Sequence, residues 1–321
     1  YIITTPTELS NIRNNPSAYY ELGNDIDLSK ATRKNGELEN ADSVCNEAFG
    51  WESINNFNGY LDGKGHSIKG LYQNNNIMCN DNHIWRDHSN GLINYAYGNV
   101  TIKNIILEDF DITCQGAYCG GLISNYKDNE NSNDTTESNL ILENIVFKNN
   151  KITGVYNNSN KDSSYRTSYG GGLLGNIESK KGAININNIY LDNLLEVSNF
   201  LKKSLFIETL FAKKANISNI RLGGTINGKY DDGSGDSLFN TKILANTNVD
   251  IKNIFSSVDG KNISGNFFGD IYSDNVNVSN IKVLKINDNG LCRNDTNCFI
   301  NDKNVVYEKS DIKTLLKKEN Y

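Results

Sequence analysis

Six stretches of the chain repeat one order of apolar and polar positions: VTIKNI from 100, LILENI from 140, ININNI from 184, ANISNI from 215, VDIKNI from 249 and VNVSNI from 276. In each, an apolar residue (Ile102, Leu142, Ile186, Ile217, Ile251, Val278) is followed two places later by Asn and then at once by Ile. A straight strand that buries one face keeps a strict period of two. Here the inward phase slips by one residue at Asn104, Asn144, Asn188, Asn219, Asn253 and Asn280. The slip predicts a bend at each Asn and a second strand laid against the same interior. Asn tolerates the left-handed conformation that a one-residue bend needs, and Gly tolerates it better. HSIKGL, with Gly70 between Ile68 and Leu71, reads as a seventh copy.

The bends are separated by 34, 40, 44, 31, 34 and 27 residues, too irregular for helical repeats and without a 3.6-residue apolar period. A third apolar run falls in each interval: Leu92-Ile93, Leu122-Ile123, Leu173-Leu174, Leu205-Phe206, Leu238-Phe239 and Phe267-Phe268. Three short strands per repeat predict an all-β chain, a right-handed parallel β-helix in which each strand pairs with its equivalents in neighbouring coils. About eight to ten coils at roughly 4.8 Å each give a rod about 40 to 50 Å long. GGLISN at 120 and GGLLGN at 171 then mark the start of the third strand. A phosphate-binding loop would open a helix, and polar, turn-forming residues follow here instead.

Both ends read as plugs over the sheet edges. Thr5, Pro6 and Glu8 form a capping box that opens a short helix. Ser310, Asp311 and Lys317-Lys318 have the order that suits a C-terminal helix and its dipole. The expected organisation is one domain over 1–321, with an N-terminal cap and entry at 1–50, coils at 51–290 and a C-terminal cap at 291–321.

Composition adjusts this picture at a few points. Of the 321 residues 55 are Asn and only 2 are Pro, and the net charge is -6 without a basic cluster. That balance argues against nucleic acid or an anionic membrane as partner. No apolar run reaches the roughly 20 residues of a membrane span, and the chain reads as a mature or excised piece. Cys45, Cys79, Cys114, Cys119, Cys292 and Cys298 lack CxxC spacing; local disulfides in an oxidising compartment are the expectation, with 15 pairings open.

FNGYLDGKGHSIKGL at 57 to 71, ELGNDIDLS at 21 to 29 and the repeated Gly-Gly-Leu-Ile/Leu of Gly120–Ile123 and Gly171–Leu174 resemble the GLUG-repeat β-helices of bacterial surfaces. The resemblance covers nearly the whole chain. It implies a stalk or binding region of the kind found in adhesins, autotransporter passengers and IgA-cleaving metallopeptidases, and thus a virulence-associated, secreted or cell-surface protein. SLFIE at 204 and SLFN at 237 depart from it, as do the cysteines. Such motifs specify fold, not chemistry.

Catalytic constellations are not found. Asp109 and Asp111 read as a solvated strand face, and Asp231, Asp232 and Asp236 as a polar turn without the EF-hand Glu. His66 reads as a structural hydrogen-bonding residue, and His83 and His88 lack further ligands for a metal. Neither HExxH nor GxSxG occurs, and no cofactor is implied. Long insertions at 73–90, 113–119, 153–169 and 227–236 would stack into one ridge. It carries Trp85, Arg86, Tyr118, Tyr156, Tyr165, Arg166 and Tyr169, the residue types enriched at binding hot spots. The segment 127–138 reads as a mobile turn, and the Asn99 and Asn216 sequons as a consequence of Asn richness. The expected function is an adhesin, passenger stalk or ligand-binding module for a host protein or glycan, not an enzyme. A carbohydrate-active β-helix enzyme is the alternative, and a phage or surface-layer element the third reading.

Overall fold

The computed structural model describes residues 1–40, 48–79, 82–85, 90–114, 118–128, 137–155, 169–192, 194–200, 202–227, 237–259, 267–273, 275–285 and 305–306. The chain is all-β, built on parallel sheets. The largest has 15 strands, and its main path runs Ile2–Ile3, Tyr19–Leu22, Tyr60–Asp62, Val100–Glu108, Leu140–Lys148, Leu174–Leu191, Ile207–Leu222, Asn240–Asp259, Val276–Lys285, Val305–Val306. A five-stranded sheet orders Tyr72–Asn74, Asp111–Cys114, Lys151–Gly154, Glu196–Ser198 and Thr225–Asn227. A three-stranded sheet contains Tyr118–Gly120, Tyr169–Gly171 and Lys202–Ser204. Neighbours in these sheets are equivalent segments of successive repeats, so Val100–Glu108, for example, is followed along the chain by strands of the two other sheets before its partner Leu140–Lys148 arrives.

Register explains the phase slip. Ile102, Leu142, Ile186, Ile217, Ile251 and Val278 pair in one column, and Ile105, Ile145, Ile189, Ile220, Ile254 and Ile281 in the next, all buried. Between the columns lie the six Asn corners, at φ between 51 and 58° in every case. The bend lets residues three apart share the interior; without it, alternation would turn one of the two Ile columns to solvent. Each such side chain stabilises the fold by about 1.5–3 kcal/mol through burial. One apolar cluster runs from Ile3 to Ile281.

Five expectations change. Gly70 is left-handed at φ 71°, but it does not stand in the Asn104 column. Lys69 is level with Glu108, so Gly70 falls in a second corner column with Asp109 (φ 58°) and Asn149 (φ 51°). Level with Asn104 is Gly63, which opens the turn through Gly65 that this repeat inserts. Asp109 is therefore a corner residue and not part of a strand face with Asp111, which opens the next strand and pairs with Arg33 at 3.6 Å.

The Gly-Gly pairs close the short strands Tyr118–Gly120 and Tyr169–Gly171, and the following strands begin at Ile123 and Leu174. Close backbone approach is the reason for glycine: a Cβ on Gly171 would strike the Leu174 carbonyl oxygen and stand 2.7 Å from the Glu208 amide nitrogen. Three short strands per repeat also give way, in later repeats, to merged strands of 18, 16 and 20 residues. The stretch 73–90 is not a plain loop, since it holds part of Tyr72–Asn74 and the antiparallel pair Asn76–Cys79 and Asn82–Trp85.

The N-terminal helix Pro6–Ser10 forms with both capping-box bonds, the Thr5 hydroxyl accepting from the Glu8 amide and the Glu8 carboxylate accepting from the Thr5 amide. Leu9 and Ile12 join the core beneath it. The C-terminal helix expected from Ser310 lies outside the described residues.

Candidate functional site: an aromatic ledge on a parallel ladder

The three-stranded sheet places Tyr118, Tyr169 and Lys202 in one register column. Alternation turns Cys119, Gly170 and Lys203 inward, where all three are buried, and leaves the other column half-exposed. The Tyr118 and Tyr169 rings stack at 5.3 Å and 23°, and the Lys202 ammonium lies 6.0 Å from the Tyr169 ring. Offset stacking and a cation over the next ring suit this spacing.

The ledge is anchored on both sides. Cys114 and Cys119 form a disulfide with Cα atoms 6.1 Å apart, tying the Tyr118 strand to the five-stranded sheet. The Asn90 amide donates to the Tyr118 carbonyl at 3.2 Å, and the Asn75 amide donates to Asn90 at 3.1 Å. Phe200 packs beneath: a Cβ on Gly170 would stand 2.5 Å from its ring. Burial raises the Tyr118 phenol pKa, and the Glu208, Tyr169 and Glu178 groups push the same way, so this hydroxyl remains a hydrogen-bond donor.

Of the seven residues expected on the ridge, Tyr118 and Tyr169 meet. Trp85 ends the strand Asn82–Trp85, level with Asn76, but its side chain lies outside the described residues, as do Arg86, Tyr156, Tyr165 and Arg166. Lys202 was missed by sequence reasoning. Aligning SLF at 204 with the Gly-Gly-Leu segments would have placed KKS in register with YGG and shown it. Of the other cysteines, the Cys79 side chain and Cys45, Cys292 and Cys298 lie outside the described residues.

Other candidates resolve into structure. The His66 ring nitrogen Nδ1 lies 3.5 Å from the Asp25 carboxylate, whereas His83 (as a side chain), His88, Asp231, Asp232 and Asp236 lie outside the described residues. The Lys181 backbone amide donates to Asp128 at 2.8 Å and the Lys213 ammonium to Glu137 at 2.6 Å, which holds the two ends of the 127–138 segment, and 129–136 lie outside the described residues. Of the sequons named above, Asn216 donates across the sheet to Asn185 at 2.7 Å, and Asn99 accepts from the Asn139 amide at 3.0 Å. Among the described residues no three His, Cys, Asp or Glu side chains gather as metal ligands, and no helix is long and apolar enough to cross a membrane. Compared with protein-family models, curated proteins and solved structures, the chain matches none.

Proposed function

We propose that the chain is a right-handed parallel β-helix that serves as a secreted or cell-surface binding module, presenting the Tyr118–Tyr169–Lys202 ledge to a protein or glycan. The β-helix reading is supported by pairing between successive repeats in three parallel sheets around one apolar interior, and by the right-handedness of parallel crossovers. Stalk and adhesin roles draw on the same property, since a ladder of this kind holds its surface rigidly along its length.

The observation that carries the binding reading is the stacked, half-exposed Tyr118–Tyr169 pair with Lys202 beside it. Aromatic faces offer apolar area at little entropic cost, and Tyr is enriched at hot spots. The ring edges suit a sugar face or an apolar side chain, and the ammonium suits a carboxylate or hydroxyl next to it. A carbohydrate-active enzyme needs two carboxyls astride one bond. Glu208, whose charge acts on the Tyr118 phenol, is 2 % exposed and lies beneath the surface.

The test is an array of glycans and extracellular-matrix proteins probed with the wild-type chain and with Tyr169→Ala and Lys202→Ala. Binding to a class of ligand that falls at least tenfold in both variants, with unchanged circular dichroism, supports the reading. Binding equal to wild type in both would overturn it.

A further inference from the structure

A carboxyl group is built into the corner beneath the ledge. Ile123, Leu174 and Ile207 are in register, so Ser124, Gly175 and Glu208, one residue later, occupy one place in successive repeats. In the first, the Ser124 hydroxyl accepts from the Gly120 amide at 3.0 Å and donates to the Asn90 carbonyl at 2.8 Å, which closes the corner. In the second, Gly175 has no side chain, and backbone closes the place: a Cβ there would strike the Ser124 carbonyl oxygen. In the third, Glu208 fills it with a side chain that is 2 % exposed and whose Oε2 has no hydrogen-bond partner.

The residue level with Gly120 and Gly171 in this repeat is Ser204, and Ser237 follows in the next, its amide donating to the Lys203 carbonyl at 3.2 Å. Both serine hydroxyls are buried without a partner. An unpaired buried carboxylate is costly, and a neutral carboxyl in the same place costs far less. The groups that face Glu208 are Lys202 on the ledge strand, Lys242 on the following long strand, the Tyr118 phenol and the Thr209 hydroxyl beside it. Lys203, also buried, donates instead to the Phe200 carbonyl at 3.2 Å.

We propose that Glu208 is a proton-operated latch: neutral, it lets the Ser204–Glu208 corner pack, and on releasing its proton to solvent it must draw water or Lys202 toward the carboxylate, which loosens the corner. Burial raises the Glu208 pKa to about 7, against the smaller downward pull of Thr209, Lys202 and Lys242. The folded pKa lies above the unfolded one, so the folded state binds more protons between the two values. Corner stability is then greatest at acid pH, declines as pH rises from the ordinary carboxylate range, and levels off above about pH 7. The latch acts whether or not the ledge binds a ligand.

The test labels the glutamate side-chain carboxyls with carbon-13 and follows them by NMR from pH 4 to 9. One carboxyl should titrate near pH 7 and be missing in Glu208→Gln. Amide exchange over 204–208, corrected for intrinsic chemistry, should rise roughly 30-fold in opening equilibrium between pH 5.5 and 8 in the wild type and stay level in Glu208→Gln. A wild type in which every glutamate titrates below pH 5.5 would overturn the latch even if the variant failed to fold. So would an exchange rise that persists in Glu208→Gln.

Discussion

The Asn144 side-chain amide donates to the Asn104 carboxamide oxygen at 2.8 Å. Asn188 donates to Asn144, Asn253 to Asn219 and Asn280 to Asn253 in the same way at 2.7 to 2.8 Å, while Asn219 steps sideways onto Asn187 at 2.7 Å. Asparagine thus does two jobs at the corner, tolerating positive φ and handing a hydrogen bond to the repeat before it.

Separating those jobs gives the first prediction. Asn188→Gly keeps the backbone conformation and loses the side-chain hydrogen bond to Asn144, about 1 kcal/mol. Asn188→Val loses the same hydrogen bond and adds the left-handed penalty of a β-branched residue, for a total of about 2–4 kcal/mol. Urea denaturation should rank wild type, Gly, then Val in falling stability. Equal loss in both variants would show that φ at this corner carries no energetic weight.

Asp62 ends the asparagine ladder, accepting from the Asn104 amide at 3.0 Å and the Lys64 amide at 2.9 Å. Burial pushes its carboxyl pKa up, but those two donors and the Lys103 and Lys64 charges outweigh it and hold the pKa below the ordinary value. A depressed pKa gives stability that is present above the ordinary carboxylate range and lost as pH falls through the folded value. Asp62→Asn keeps an acceptor for Asn104 and removes the titration. Its unfolding midpoint should therefore change less than that of the wild type between pH 5 and pH 2.5. Parallel curves for the two proteins would exclude Asp62 as a contributor to acid sensitivity.

Gly121, at the corner before the strand Ile123–Lys127, is hemmed in by a ring and a carbonyl. A methyl group on Gly121 would strike the Phe147 ring and lie 2.8 Å from the Gly172 carbonyl oxygen, with no flexible neighbour to yield. Gly121→Ala should cost on the order of 1–3 kcal/mol, the range for overpacking in a filled core. Adding Phe147→Leu should recover part of that loss, because it removes ring atoms from the collision. Failure of the second change to recover anything would assign the cost to the carbonyl contact instead.

What the sequence made legible follows from how specific each local requirement is. The six Asn corners could be read because an inward phase slip and a residue tolerant of positive φ coincide at each. Gly70 was set in the wrong column because glycine fits any left-handed corner, and the inserted turn at Gly63–Gly65 hid the true equivalent. The Asp109 corner carries a signal, the three-residue step from Leu107 to Phe110, but the Asn149 corner does not, because the step from Phe147 ends on the polar Asn150. Two of the three ledge residues, Tyr118 and Tyr169, were legible in the sequence. Lys202 was not, because KKS shares no residue with YGG and only the SLF that begins at Ser204 relates the two segments. Glu208 was hidden for the opposite reason: a Glu beside an Ile reads as the solvent side of a strand, and only the corner geometry turns it inward.

The disulfide gives the last prediction. Cys114 and Cys119 are five residues apart and fully buried, so the bridge closes a short loop between the five-stranded sheet and the ledge strand. Loop-closure entropy for so short a ring is worth about 2 kcal/mol, and alanine at both positions forfeits it without burying a new polar group. The asparagine column lies on a different sheet, and its hydrogen bonds do not pass through either cysteine. Cys114→Ala with Cys119→Ala should therefore speed amide exchange in the strand Tyr118–Gly120 far more than in Val100–Glu108, and weaken any ledge-dependent binding with it. Exchange that accelerates equally in both strands would mean that ledge and ladder unfold as one unit, with the bridge stabilising the whole and not the ledge alone.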